Sequence, residues 1–461
     1  MRTRIILPAT LATVVVLTLT GVAAPASSAA TGTNRPSVEG VWQTDGYGTA
    51  VAVSGRSLTT YDTTAISCLP GNMRGDQQGH TGPDGSRHYS AAGYGRITVT
   101  AQDGDTARLH IASSAGTRVL HRVSALPATC AKKPATDPRA VFDVFWQTYA
   151  ENYPFFAAKG IDWQEVRDRY RPRVDKDTGD DELFAVLREM IEPLHDAHTS
   201  LSDGKDREYG GLRPDTPPHS PEHLARIDTA VAKAVEVPLR QYANGSLSFA
   251  RLPEGTGYLR ITRFAGYTDE ESYPQWEAAL DAALDDIPWT RLSGLVLDVR
   301  VNGGGADPLA LRIASRLTDR PYIAYTKHAR NDPADPTRFT PGQPIPVRPH
   351  QGPRFTGKVA VLTGGLSVSA AETFTQALMA RTPAPVRIGQ NTQGVFSDTL
   401  DRALPNGWRF SLPNEEFRTA DGTTFDGPGI PPHHRTPVFT DKELDQNRDS
   451  ALTKARKLLR R

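Results

Sequence analysis

Residues 293–305 read SGLVLDVRVNGGG. The apolar run Leu295-Val296-Leu297, continued by Val299, does not alternate as a half-solvated strand would. It fits a strand covered on both faces. A second such run, Val359-Ala-Val-Leu362, lies in GKVAVLTGG. Between and around them the period becomes helical, in ESYPQWEAALDAALDDI (271–287) and DPLALRIASRLTD (307–319), and TGYLRITRF (256–264) supplies a preceding strand. Strand, helix and strand in succession predict an α/β core over 256–440, with a C-terminal helix over 441–461. The tail TKARKLLRR within it reads as a solvated helix end.

Sites in such sheets form where strands end and helices begin, because unpaired backbone N–H groups point outward there. Two strand ends qualify. After LVLDV comes Asn302-Gly303-Gly304-Gly305, where glycines let the backbone approach another group closely. After VAVL comes GGLSVSAAETFTQAL, residues 364–378. Its Ser369-Ala-Ala-Glu372 is a capping box, in which serine and glutamate cap each other's amides. A nucleophile would use the same place, since the helix start favours developing negative charge. The local pattern admits both readings.

The chain opens with MRTR, an apolar run from Ile5 to about Val22, and the small residues AAPASSAA. This is the pattern of a secretory signal peptide over 1–30, cleaved after Ala29 or Ala30, and it predicts a secreted, extracellular protein with no integral membrane anchor. The two cysteines, Cys68 and Cys130, then pair as a disulfide. Two cysteines are too few for a zinc site. Basic and acidic residues number 53 and 52, without a basic stripe, which argues against nucleic acid. No glycine-rich phosphate loop is present.

Residues 31–132 read as short strands, among them TAVAVSG, GRITVTAQ and TRVLHRVSA, and predict a small all-β barrel or sandwich. The linker AKKPATDP follows. Three apolar-periodic stretches, 140–156, 163–174 and 180–194, make 137–204 a helical subdomain. Residues 205–255 read as a variable linker region, a Pro-rich loop followed by a helical or mixed stretch, with no clear PDZ module. The fold class is therefore multidomain: a small all-β domain, a helical subdomain and an α/β core.

The order DAHTSL (196–201), DVRVNGGG (298–305), SVSAAE (367–372), IGQNTQG (388–394), LPNGWRFSLP (404–413) and DGTTFDGPGIPP (421–432) resembles the C-terminal processing, or tail-specific, serine peptidases. The likeness spans about 137–437. It implies a crotonase/Clp-protease-like ββα core with Ser369 as nucleophile and Ser367 as a structural neighbour. One branch of the family takes a lysine after a Thr-x-Gly element, but here Thr392-Gln393-Gly394 is followed by Val395 and Phe396. Asp398 is the nearest ionisable residue downstream. The tricorn-like branch instead takes a histidine from a motif similar to Asp196-Ala197-His198-Thr199. The resemblance thus assigns the base to His198, with His195 as competitor.

It also places an acid at Asp426, before Gly-Pro-Gly-Ile-Pro, and an oxyanion hole at the amides of Gly304 and Ala370. The chain departs from the branch at Ala197, where a serine is usual, at Asp426, usually Glu, and at His433, usually Asp. The implied activity is hydrolysis of a peptide or unfolded-protein substrate through an acyl-enzyme, with no cofactor or metal. Two alternatives stay open: a catalytically silent relative, like interphotoreceptor retinoid-binding domains, that holds an apolar ligand or peptide, and a hydrolase of non-peptide acyl groups.

Overall fold

The computed structural model describes residues 36–460, so the signal-peptide segment 1–30 lies outside the described residues. Leu295–Asp298 and Val359–Thr363 are buried at every position, as their unbroken apolar runs require. They are adjacent parallel strands at the centre of a seven-stranded sheet. Its order is Arg240–Tyr242, Leu247–Arg251, Gly257–Ile261, Leu295–Asp298, Val359–Thr363, Val386–Gly389 and His434–Arg435. The first three strands are antiparallel and the rest parallel.

Successive side chains on a strand point to opposite faces, and the core divides accordingly. Leu295, Leu297, Val359 and Val361 pack with Leu280, Leu309 and Phe374 from helices Tyr273–Asp286, Asp307–Ser315 and Ala370–Met379. Val296, Ala360 and Leu362 pack with Val231 and Leu452 from helices Pro221–Val235 and Ser450–Leu459. Helices on both faces leave the sheet's strand ends as the place for a site.

Two stretches differ from their sequence reading. Residues 205–255 hold a helix that Ser220 caps, followed by two strands of the main sheet, so the α/β core begins well before 256. The basic tail is one face of a docked helix: Ala451, Leu452 and Ala455 are buried, and Asp449 caps it while binding the fully buried Arg300 at 2.8 and 2.7 Å. Arg300 also binds Asp298, at the end of the central strand. That ion pair ties the last helix to the sheet centre.

The N-terminal region is a closed barrel of eight antiparallel strands between Gly40 and Val123, with Trp42, Tyr89 and Ile97 in its core. Helices Pro138–Asn152, Trp163–Tyr170 and Asp180–Ile191 follow, the first two capped by Asp137 and Asp162. Their apolar faces pack on Leu400, Trp408 and Phe410; the strand Arg409–Pro413, which carries Phe410, pairs with Thr399–Ala403 on one side and Ser200–Ser202 on the other. The helical part is thus completed by residues two hundred positions later. No described helix is long and apolar enough to cross a membrane.

Cys68 and Cys130 are joined by a disulfide that closes a loop of 62 residues around the barrel. On the loop-entropy scale such a closure contributes about 4 kcal/mol. A thermal melt of the full chain with and without reductant is expected to show a clear fall in Tm, and a Cys68→Ser/Cys130→Ser variant should melt like the reduced protein.

Candidate active site

Ser369 begins the helix Ala370–Met379 with φ 57° and ψ −119°, angles of a type II′ turn that normally require glycine. An ordinary N-cap residue is extended instead. Strain of this kind costs about 1–3 kcal/mol and gathers where chemistry needs a fixed, exposed side chain. Glu372 makes its half of the capping box, accepting the Ser369 N–H at 3.2 Å. The Glu372 amide donates to the Ser369 carbonyl at 2.7 Å, so it does not depend on the serine hydroxyl for an acceptor. Ser367, by contrast, is fully buried and donates to the Val299 carbonyl at 2.6 Å. Its role is structural.

The glycine turn lies against the serine. A Cβ on Gly304, whose φ is +93°, would stand 2.7 Å from Ser369 Cβ and 3.2 Å from the Ala370 nitrogen. Only glycine lets the two backbones meet. The turn is fixed by buried Asn302, whose Oδ1 accepts the Gly304 N–H at 2.8 Å and whose Nδ2 donates to the Ile261 carbonyl at 3.0 Å. This corrects the assignment of the Gly304 amide to an oxyanion hole, because that N–H is already engaged. The Ala370 N–H, first in its helix, has no intrahelical acceptor and stays available.

His198 follows a tight turn at the end of the helical part. Asp196 accepts the His198 N–H at 2.9 Å through one oxygen and the Tyr153 hydroxyl at 2.9 Å through the other. Thr199 donates to the Asp196 carbonyl from both its amide and its hydroxyl. His195 is exposed in a left-handed conformation, while His198 is buried. Burial lowers the His198 pKa below its ordinary value, and the Asp196 and Asp398 carboxylates partly oppose this. Its Nδ1 is buried without a partner, and no hydrogen bond joins it to Ser369 or Asp426 among the described residues.

The loop Gly394–Asp398 connects the two halves. Glu372, fully buried, accepts the Gly394 and Val395 amides at 2.6 and 2.9 Å. Burial pushes its carboxyl up to about 7. Gly394, at φ +91°, packs on the Gly427 carbonyl where a Cβ would be 2.3 Å away. Asp426 accepts the Phe396 N–H at 3.2 Å and the Thr424 hydroxyl at 2.8 Å. Its carboxyl is held well above the usual range, first by burial and then by Asp196 and Glu372 nearby. The assignment of Asp426 as the acid orienting His198 is not met by the geometry: one oxygen accepts from Phe396 of the loop, the other from Thr424, and no hydrogen bond joins it to His198 among the described residues.

Beside this site is a cavity of about 1220 Å³. The helix Pro221–Val235 forms one wall; Val301, Gly303, Leu366 and Val368 form another. It reaches the neighbours of Gly304 and Ser369 without being lined by Ser369 itself. Among the described residues no cluster of three or more His, Cys, Asp or Glu could hold a metal.

Residues 255–436 match the model of peptidase family S41, and residues 134–192 match the tricorn protease C1 domain. Over these residues the chain is similar to the C-terminal processing peptidases. Among curated relatives, a carboxy-terminal-processing protease of Bartonella bacilliformis is 28% identical over 184 residues, 40% of this chain and 39% of the relative. A chloroplastic C-terminal processing peptidase of Tetradesmus obliquus is 29% identical over 108 residues, 22% of each. The chain thus spans about two fifths of the first relative's length and about a fifth of the second's. Among solved structures, a candidate peptidase from Parabacteroides merdae is 25% identical, with a TM-score of 0.60 over 70% of this chain and 97% of that one. Mature CPAF bound to lactacystin shares the fold at a TM-score of 0.50 and 12% identity, over 70% of this chain and 97% of that one. The S41 match includes Ser369, the glycine turn and Asp426; neither family model reaches His198.

Proposed function

We propose that this protein is an exported serine peptidase of the C-terminal processing kind that hydrolyses peptide bonds in peptide or unfolded-protein substrates through an acyl-enzyme on Ser369. The observation that carries the reading is the strained backbone of Ser369, set against a glycine turn that a single Cβ would push away. His198 takes the hydroxyl proton as the oxygen attacks the carbonyl, then returns it to the leaving amine before water releases the acyl group. The Ala370 amide, at the helix start, faces the developing oxyanion. Export after cleavage near Ala29 or Ala30, and the finer crotonase/Clp-like kinship of the core, belong to the same reading.

A proton-accepting histidine must be neutral. Burial lowers the His198 pKa, so the neutral form persists below the ordinary value of about 6.5. The acid limb of the kcat/KM profile is therefore expected below pH 6.5, and its displacement to or above that value would contradict His198 as the base.

The cavity beside Gly303 and the lack of a Ser369–His198 hydrogen bond favour a second reading, a silent relative that binds an apolar ligand. Incubating the mature protein with a mixed library of unstructured peptides, read by mass spectrometry, separates the two. Cleavage lost in both Ser369→Ala and His198→Ala supports the peptidase. An untouched library moves the binding reading to the front, and turnover of small esters alone points to a non-peptide acyl hydrolase.

A further inference from the structure

The stretch 208–217 joins the two halves of the candidate site. At one end the strand Glu208–Gly210 pairs with Ser200–Ser202, which follows closely on His198. Gly211 then lies on the histidine's own turn: its amide donates to the Thr199 carbonyl at 2.8 Å, and a Cβ there would stand 2.1 Å from the Asp196 carbonyl oxygen. Two residues later Arg213 crosses to the nucleophile's side. Its Nη1 donates to the carbonyls of Thr392 at 2.9 Å and Gln393 at 3.2 Å, and reaches that of Pro428 at 3.4 Å. The Thr216 hydroxyl meets the Gln393 side-chain amide, 3.1 Å from its oxygen and 2.9 Å from its nitrogen. Pro217 closes on Gly365, where a Cβ would be 2.8 Å from the proline ring.

The gripped loop leads to Ser369. The Gln393 amide donates to the Ser367 carbonyl at 3.0 Å, and the Gly394 amide to one oxygen of Glu372, whose other oxygen accepts the Ser369 N–H. Hydrogen bonds and peptide links therefore run without a break from the turn of His198, through Arg213, to the amide of Ser369. A guanidinium suits the middle of that path, because a rigid fork with several donors can hold several carbonyls at once. The Arg213 side chain is 20% exposed, and Asp215 binds its Nε and aims it.

We propose that Arg213 is a positioning residue for the acyl-transfer step: it clasps the loop 392–394 against the turn 196–199 and so sets the separation of His198 from Ser369. The assignment rests on the peptidase reading. Misplacing reacting groups by about 1 Å can cost about 100-fold in rate. A smaller effect is expected here, because the Ser411 hydroxyl also holds the His198 carbonyl, at 2.9 Å. The large cavity is walled by Leu212 and Thr216 and not by Arg213, so substrate binding should change little.

The test compares the mature protein with Arg213→Ala and Arg213→Lys in peptide cleavage, with active sites counted by fluorophosphonate labelling of Ser369. Arg213→Ala is expected to lower kcat per labelled site about tenfold, with KM little changed and Tm within a few degrees of the parent. Arg213→Lys, whose ammonium can donate to the same carbonyls, should recover most of the loss. Gly211→Ala loosens the other end of the same clasp, so its loss and that of Arg213→Ala should not add in the double variant. A folded Arg213→Ala with the parent's kcat overturns the proposal, as does a loss that Arg213→Lys leaves unrecovered, or losses that add in full. If Gly211→Ala does not fold, the two Arg213 variants decide alone. A parent that cleaves nothing and leaves Ser369 unlabelled counts against the peptidase reading, and hydrogen exchange then decides the clasp. In Arg213→Ala the amides of both 196–202 and 392–396 should exchange faster than in the parent, and unchanged exchange in either segment overturns it.

Discussion

Ser369→Ala is expected to lower kcat/KM for peptide cleavage by at least about 10⁴-fold, since removing a triad nucleophile eliminates the covalent route and leaves only binding and oxyanion stabilisation. Stability should not fall with it. The Glu372 amide keeps the Ser369 carbonyl as its acceptor at 2.7 Å, so alanine removes little that supports the fold, and the backbone strain at φ 57° remains. Steady-state kinetics and a thermal melt of the same preparation check both halves. A variant that loses several degrees of Tm but keeps its activity would return Ser369 to the role of a helix cap.

The second large effect falls on stability. Lys327 is 5% exposed, and its ammonium lies 3.0 Å from Asp398 and 3.2 Å from Glu415. Methionine has a similar stem and no charge, and it would leave the enclosed Glu415 and the partly exposed Asp398 without their cation. Breaking a buried pair in this way typically costs about 3–5 kcal/mol. Lysine held above its ordinary pKa contributes stability below that pKa and loses it only as pH rises through the folded value, so at neutral pH the contribution is fully present. In Lys327→Met the stranded carboxylates are relieved by protonation, so the deficit against the parent should shrink as pH falls from 7 towards 4. Urea unfolding at several pH values measures it. A deficit under 1 kcal/mol at pH 7 would contradict the picture of a charged, enclosed network.

Much of the core was legible because its signals are local. LVLD and VAVLT are apolar without interruption, and each is buried throughout. Ser369 and the glycine turn could be found because both sit at strand ends, where unpaired amides make sites. His198 came from a resemblance rather than from periodicity; its burial separates it from exposed His195.

What escaped the sequence depends on contacts between distant residues. Asn302 takes the Gly304 amide, and only the folded turn reveals that this N–H is engaged. Asp426 holds the position the resemblance assigned, yet one of its oxygens accepts a loop amide, that of Phe396, and the other the hydroxyl of Thr424. Asp398 gains its meaning from Lys327, 71 positions away, and from Ser114, 284 positions away. The C-terminal helix is legible in the sequence, but its docking is not: the basic residues point to a solvated end, although Ala451, Leu452 and Ala455 repeat at helical spacing and are buried.

The account stands most directly on the reactivity of one hydroxyl. Treating the mature protein with a fluorophosphonate and mapping the adduct by peptide mass spectrometry measures it without assuming a substrate. A single adduct on Ser369, formed faster as pH rises through the His198 titration and abolished in His198→Ala, is the expected result. A protein that stays unlabelled while folded, or that is labelled at another serine, would contradict Ser369 as a nucleophile activated by His198.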